Sequence, residues 1–366
     1  MLTVCKYTVL ISREIDGYLI KILSLPGVLY CNMNISIRPL KENDLSEAEY
    51  IFRLAFGAFL GLSDPMAIFR DADYIRTRFH SDPLAAYAAE TADGKLIGTN
   101  FTANWGSVGF FGPLTIHPDY WSQGVAKRLM EPTMQLFSKW NTKLAGLFTF
   151  ANSPKHISLY QKFDFWPRFL TAIVSKEVTQ LGNNEASNLK WSRYSEEVSE
   201  RTHKDEKHLL EECNKLTNSV YEGLNLETEI RSVKKQNLGD TILLWRREDS
   251  DKNDCNDEDS SLIGLAVCHC GAGSEAGSST CYIKFGAVKP GPSARRDFEN
   301  LLKVSETFAT EYKMTRLVAG VNLARHQAYT KMLSNGFHID MLGVEMQKGN
   351  DEGYNRYNVY IMDDWR

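Results

Sequence analysis

The order strand, long helix, strand, short helix, strand runs through this chain twice. The first pass is "GFFGPLTIHP" (109–118), a helical pattern from Gln123 to about Trp140, "LAGLFTF", "SPKHISLYQKF" and "RFLTAIVSKEV". The second is "CYIKFGAV", "SARRDFENLLKVSETFATEY", "TRLVAGV", "NLARHQAYTKMLSNGF" and "HIDMLGVEMQ". An order of elements that recurs this way marks an internal duplication, so the chain folds as two related units. Strands alternating with helices predict a mixed α/β, or α+β, class. A length of 366 residues agrees with two domains at about 150 residues each.

Local signals refine the pattern. "NISIRPLKENDLSEAEYIFRLAFGAF" reads as strand, turn and amphipathic helix, and a second helical piece spans about Asp71 to Phe79. Asp93-Gly94 joins two strands as a hairpin. Pro132 removes one N–H from the long helix, which predicts a kink or break there. Ser153 and Pro154 suit the cap and first position of the short helix. The expected boundaries are an extension over 1–33, a first domain over 34–176, a polar linker without regular structure over 177–204, and a second domain over 205–366. The charged stretch "REDSDKNDCNDEDSS" from Arg247 to Ser261 reads as a solvated, disordered loop.

Composition narrows the class of function. A net charge of −4 on 366 residues gives no overall basic excess for nucleic acid. The first 33 residues are interrupted by Arg13, Glu14, Asp16 and Lys21, so neither a membrane span nor a secretory signal is expected there. Met33 precedes the first well-formed strand, so the working protein is expected to start near it. Seven Cys, unevenly spread, read as reduced thiols in the cytoplasm. In "LIGLAVCHCG", strand alternation puts Cys268 and Cys270 on one face and His269 on the other. With Cys281 they read as small buried thiols rather than zinc ligands, and no metal is expected.

"HPDYWSQGVAKRL" places Gly124 and Ala126 where a strand gives way to a helix. A helix N-terminus offers free N–H groups and a partial positive charge, and small residues let a phosphate approach. The same residues also suit tight packing. Two of the three glycines of a dinucleotide fingerprint are missing, and so is the Gly-Lys-Ser/Thr of a P-loop.

Taken together, "GPLTIHPDYWSQGVAKRLM", "LFTFAN" and "SPKHISLYQKFDF" resemble the GNAT superfamily of N-acetyltransferases over about residues 35–175. Ile116-His117-Pro118 matches the family's Val/Ile-x-Pro strand end. Gly124 and Ala126 match the last two positions of its Arg/Gln-x-x-Gly-x-Gly/Ala loop, with Trp121 where Arg or Gln is usual. Asn152, Leu159, Tyr160, Lys162 and Phe165 follow the later pattern, and Asp164 replaces its glycine. The resemblance implies two tandem GNAT-like domains, each a twisted, mostly antiparallel sheet with helices on both faces. It also implies acetyl-CoA as co-substrate, held by Thr115, Ile116, Gln123, Gly124, Val125, Ala126, Lys127 and Asn152. Lys127 reads equally as an exposed helix lysine. Trp121 packs against either the loop or the coenzyme.

The second repeat resembles a degenerate copy. Val288 and Pro290 keep the strand end, but Gly291 comes too early and Pro292 lacks an N–H. Arg295 and Arg296 read as an exposed basic helix start. Asn322, Ala324, Tyr329 and Gly336-Phe337 are kept with altered spacing. This half is expected to wall the acceptor cleft of the first.

The reaction implied is direct attack of an amine on the thioester. Tyr160 stands where the family supplies a proton to the leaving thiolate. A backbone donor near the strand end is expected to stabilise the thioester oxygen. The base is open: His117 reads as a solvent-facing imidazole, Glu90 and Asp73 are further candidates, and "GPLTI" carries no carboxylate. The alternative is a non-catalytic acetyl-CoA sensor or interaction scaffold. No nucleic-acid or membrane partner is expected.

Overall fold

The computed structural model describes residues 34–179, 189–198, 206–247 and 260–366, with a short pairing of β1 (Glu14–Ile15) and β2 (Tyr18–Leu19). The rest of the extension, most of the expected linker and the acidic loop lie outside the described residues, and so do the readings made of them. Part of that linker is regular: Leu189–Arg193 is a strand, β10, and Tyr194–Glu197 a helical turn, α5. Trp191 and Ser192 pair there with Leu244 and Leu243, which is why a polar stretch becomes an edge strand.

The first repeat opens with β3 (Ser36–Pro39) and α1 (Leu45–Phe59), which buries Leu45, Ala48, Ile51, Phe52 and Ala55 along one face. Then come α2 (Ile75–Ser81) and the hairpin of β4 (Ala86–Glu90) and β5 (Leu96–Trp105). Gly94 takes φ +82° in its turn, a conformation glycine adopts freely. β6 (Val108–Phe111), β7 (Thr115–Ile116), α3 (Val125–Lys139), β8 (Leu144–Thr149), α4 (Pro154–Gln161) and β9 (Phe165–Glu177) complete it.

Pro132 does not break α3. Leu129, Met130, Thr133, Leu136 and Phe137 bury one face on both sides of it, and that packing outweighs the single missing hydrogen bond. The second repeat comprises α6 (Glu206–Val220), α7 (Glu227–Gln236), β11 (Gly239–Arg247), β12 (Ser260–Gly271), β13 (Gly277–Val288), α8 (Ala294–Glu311), β14 (Arg316–Asn322), α9 (His326–Ser334), β15 (His338–Lys348) and β16 (Ile361–Met362). Cys268 and Cys281 are buried and face the core on one side of β12, while His269 lies 3.6 Å from Glu229 on the other. Among the described residues no group of His, Cys, Asp or Glu is arranged to hold a metal ion.

One sheet crosses both repeats in the order β10-β11-β12-β13-β14-β9-β15-β8-β6-β5-β4-β3. The repeats exchange their last strands across its middle. β9 of the first lies between β14 and β15, with Ile173 opposite Gly320. β15 of the second lies between β9 and β8, with Val344 opposite Thr149. Among the described residues only β6 with β8 and β13 with β14 run parallel. A cluster around Trp105, Phe110, Leu216, Leu243 and Phe285 draws its core residues from both repeats.

Glu345 sits fully buried in the exchanged strand β15, accepting hydrogen bonds from Asn322 (2.8 Å) and Asn355 (2.9 Å). Arg325 lies 3.5 Å away and pairs more closely with Asp363, at 2.6 Å. Burial pushes Glu345 from 4.5 up to about 7, against the pull of Arg325 and with the help of Asp363. The folded chain therefore keeps a proton that the unfolded chain releases above pH 4.5. The stabilisation is complete below pH 4.5 and is lost as pH rises to 7. The expected loss is on the order of 3 kcal/mol. Scanning calorimetry at pH 5 and 7.5 should show a fall in Tm that Glu345→Gln reduces. An equal fall in both proteins would rule Glu345 out as its source.

Candidate active site

α3 begins on an open face. Its N-cap Gly124 is exposed at φ +81°, and a Cβ there would meet nothing within 4 Å. No acidic residue lies in the first turn. The N–H groups of Val125, Ala126 and Lys127 precede the first backbone bond back to Gly124, made by Arg128 at 3.3 Å. Val125 is buried and Lys127 exposed. The loop before them is tied down, with Gln123 Nε2 donating to the Asp119 carbonyl at 3.0 Å.

The strands beside this helix separate. β6 and β8 pair from Val108–Leu144 to Phe110–Gly146 and then diverge. β7, which continues β6, pairs only with β5 among the described residues. His117 N donates to Ile97 O at 2.9 Å, so by strand alternation the N–H groups of Leu114 and Ile116 face away from β5 into the gap. Thr115, between them, pairs with Thr99 of β5 and turns its hydroxyl to the Thr99 hydroxyl at 3.1 Å, so it does not face the gap. Trp121 Nε1 donates to Ile116 O at 2.7 Å, and Lys155 Nζ lies 5.3 Å from the centre of its ring. The indole thus joins β7, the loop before α3 and the start of α4. Trp121 packs on the loop and strand.

Asn152 is exposed just before α4, and buried Ser153 is the cap residue. The structure brings Thr115, Ile116, Trp121 and the α4 start together. Tyr160 lies further along α4, its ring 5.6 Å from Phe111 at the head of the gap. Its hydroxyl has no hydrogen-bond partner among the described residues. Burial raises its pKa, so it keeps its proton.

The base candidates fare differently. His117 is buried between Tyr50 and Tyr120, not solvent-facing, and its Nδ1 accepts from Asp119 N at 3.3 Å. Glu90 accepts from Arg38 at 2.6 Å. Asp73 pairs with Arg76 at 3.2 Å.

The same places in the second repeat are filled. Asp297, buried in the first turn of α8, pairs with Arg246 and accepts from Ser293 Oγ at 2.5 Å. The negative charge of a carboxylate in the first turn suits the helix end, as that of a phosphate would. Arg295 and Arg296 are exposed. β13 and β14 pair over Thr280–Ile283 and Arg316–Ala319 and then part. Into that gap runs β16, with Met362 opposite Gly286 and Ile361 opposite Ala287. Arg325, at the start of α9, donates to Ile361 O (3.1 Å) and Asp363 O (3.2 Å). A Cβ on Gly320 would come within 2.2 Å of Asp364, so only glycine admits this segment.

A chain of buried charges joins the repeats, and sequence reasoning missed it. Arg78 of α2 meets Glu275 through Nε (3.0 Å) and Nη2 (3.1 Å). Lys284 lies 2.9 Å from Glu275 and 2.8 Å from Glu229. Burial would raise the pKa of Glu229, but Lys284 and His269 win and hold it down to about 2. Arg78 Nη1 donates to Gly112 O at 2.5 Å, between β6 and β7. A cleft of about 30 Å³ beside it is lined by Arg78, Asn104, Trp105, Gly112, Glu229 and Lys284. No motif links residues this far apart in sequence.

Splayed parallel strands beside a helix N-terminus, present twice and joined by strand exchange, define a tandem GNAT fold. Residues 50–165 match the family described as Acetyltransferase (GNAT) family. An assumed acetyltransferase from Pyrococcus horikoshii is similar in fold, with TM-score 0.58 and 11% identity over 90% of this chain and 95% of that one. A GCN5-related N-acetyltransferase from Sphaerobacter thermophilus matches at 0.51 and 11%, over 86% and 95%. A tandem GNAT protein from the clavulanic acid biosynthesis pathway matches at 0.51 and 11%, over 86% and 98%. No curated protein sequence matches significantly. Residues 50–165 thus carry a GNAT-family domain, and the whole chain shares the fold of tandem GNAT proteins. No helix among the described residues is long and apolar enough to cross a membrane.

Proposed function

We propose that the first repeat transfers an acetyl group from acetyl-CoA to an amine, while the second is structural. One contrast carries this reading: the strand gap and helix start open in the first repeat are occupied by β16 and Asp297 in the second. In the first repeat, the N–H groups of Gln123 to Lys127 would hold the pyrophosphate. Ile116 would offer backbone to the pantetheine, Thr115 would hold β7 to β5 behind it, and Asn152 would lie beside it. The amine attacks the thioester carbon, and the oxygen gains charge opposite the Leu114 N–H, which has no partner among the described residues. As the C–S bond breaks, Tyr160 would give its proton to the sulfur and regain one from the nitrogen, which the attack leaves positively charged. The free thiols Cys213, Cys268, Cys270 and Cys281 fit a cytoplasmic protein.

Calorimetry with acetyl-CoA should give one site per chain. Two equivalent sites would refute the division of labour. Release of CoA across a panel of small amines, amino acids and protein amines then tests transfer. Tight binding without release to any of them would favour a sensor.

A further inference from the structure

We propose that the second repeat sets the reaction geometry of the first through Glu275 and Arg78, with Arg78 as a positioning residue for the backbone that receives the thioester oxygen. This rests on the acetyl-transfer reading above.

The Arg78 side chain is 8% exposed and that of Glu275 fully buried. Glu275 belongs to the turn between β12 and β13, and holds the guanidinium by two nitrogens. The third, Nη1, reaches Gly112 O at 2.5 Å. Nη2 also donates to the carbonyl of Arg366, so the buried C-terminal segment braces the same group. Behind Glu275 stands Lys284, and behind that Glu229, two cations and two carboxylates in alternation.

Gly112 directly follows β6, and Leu114 begins the free edge of the gap. Only Pro113 separates them, and its ring fixes φ. Once the Gly112 carbonyl is held, the direction of the Leu114 N–H depends on little more than one torsion. Gly112 has φ +144°, where other residues are strained, so it cannot hold this shape by side-chain packing. The hold comes from Arg78.

Stability alone does not explain the cluster. A buried ion pair is commonly no more stabilising than apolar residues of the same volume. A guanidinium, however, presents fixed donors in a plane and can grip a carboxylate and a carbonyl at once, which an ammonium cannot copy. Arg78→Lys therefore keeps a cation beside Glu275 while losing the fixed contact to Gly112.

The test uses the full chain and acetyl-CoA labelled with ¹³C at the carbonyl, read by difference infrared spectroscopy. In the wild type the bound thioester carbonyl should absorb at lower wavenumber than in solution, because an N–H donates to it. In Arg78→Lys that shift should shrink and release of CoA should slow by about 10- to 100-fold. The dissociation constant should stay within about twofold. Glu275→Gln, nearly isosteric, should act in the same direction and serves if Arg78→Lys does not fold. A full shift retained in whichever variant folds would overturn the positioning role. Failure of the wild type to bind acetyl-CoA would instead overturn the acetyl-transfer reading.

Discussion

Gly124→Glu leaves the protein folded and removes acetyl-CoA binding. The site is exposed, and a Cβ would meet no neighbour within 4 Å. The fold pays only the strain of a side chain at φ +81°, about 1–2 kcal/mol. Binding suffers far more. Two unit charges about 4 Å apart near a protein surface repel by about 4 kcal/mol, roughly three powers of ten in affinity. The carboxylate would also compete with the pyrophosphate for the free N–H groups at the helix start. Gly124→Ala carries the same strain without the charge and should retain measurable binding. Titration calorimetry and thermal melts of both variants separate the two effects. Unchanged affinity in Gly124→Glu would move the coenzyme elsewhere.

Tyr160→Phe should lower kcat by about 100-fold, the lower end of what loss of a general acid costs, since a thiolate leaves fairly well unaided. The ring would still pack against Phe111. The hydroxyl leaves no stranded partner behind, so the variant should melt no lower than the wild type. Coenzyme affinity should hardly change. The measurement is kcat at saturating acetyl-CoA with an accepted amine, beside the dissociation constant. Equal kcat would make Tyr160 a packed aromatic, and a loss confined to binding would make it a coenzyme contact.

What the sequence revealed was mostly local. The Asp93-Gly94 turn, the Ser153-Pro154 start of α4 and the run Gln123–Lys127 each declare themselves within a few residues. α7 was missed although Ile230 and Val233 are buried on one face and Asn237 ends it with φ +56°; its ten residues are too short and too charged to stand out. Pro132 misled because backbone propensity is local and the packing that overrides it is not. "NVYIMDD" reads as a strand, but nothing in it says that Ile361 and Met362 fill a gap beside β13. Arg78 and Glu275 stand 197 positions apart, and each alone looks like an ordinary charged surface residue. Nor does any pattern announce the strand exchange, because β9 would alternate the same way beside either neighbour.

That exchange makes the molecule a two-fold dimer written on a single chain. Where two separate subunits trade strands, the shared sheet forms only above the concentration at which they associate. Here the covalent tether replaces that concentration by a fixed local one. Dilution therefore cannot dissolve the seam between β9 and β15. Covalent linkage also lets the halves diverge: one could surrender its gap to β16 while the other kept its own, an asymmetry that two identical subunits could never encode.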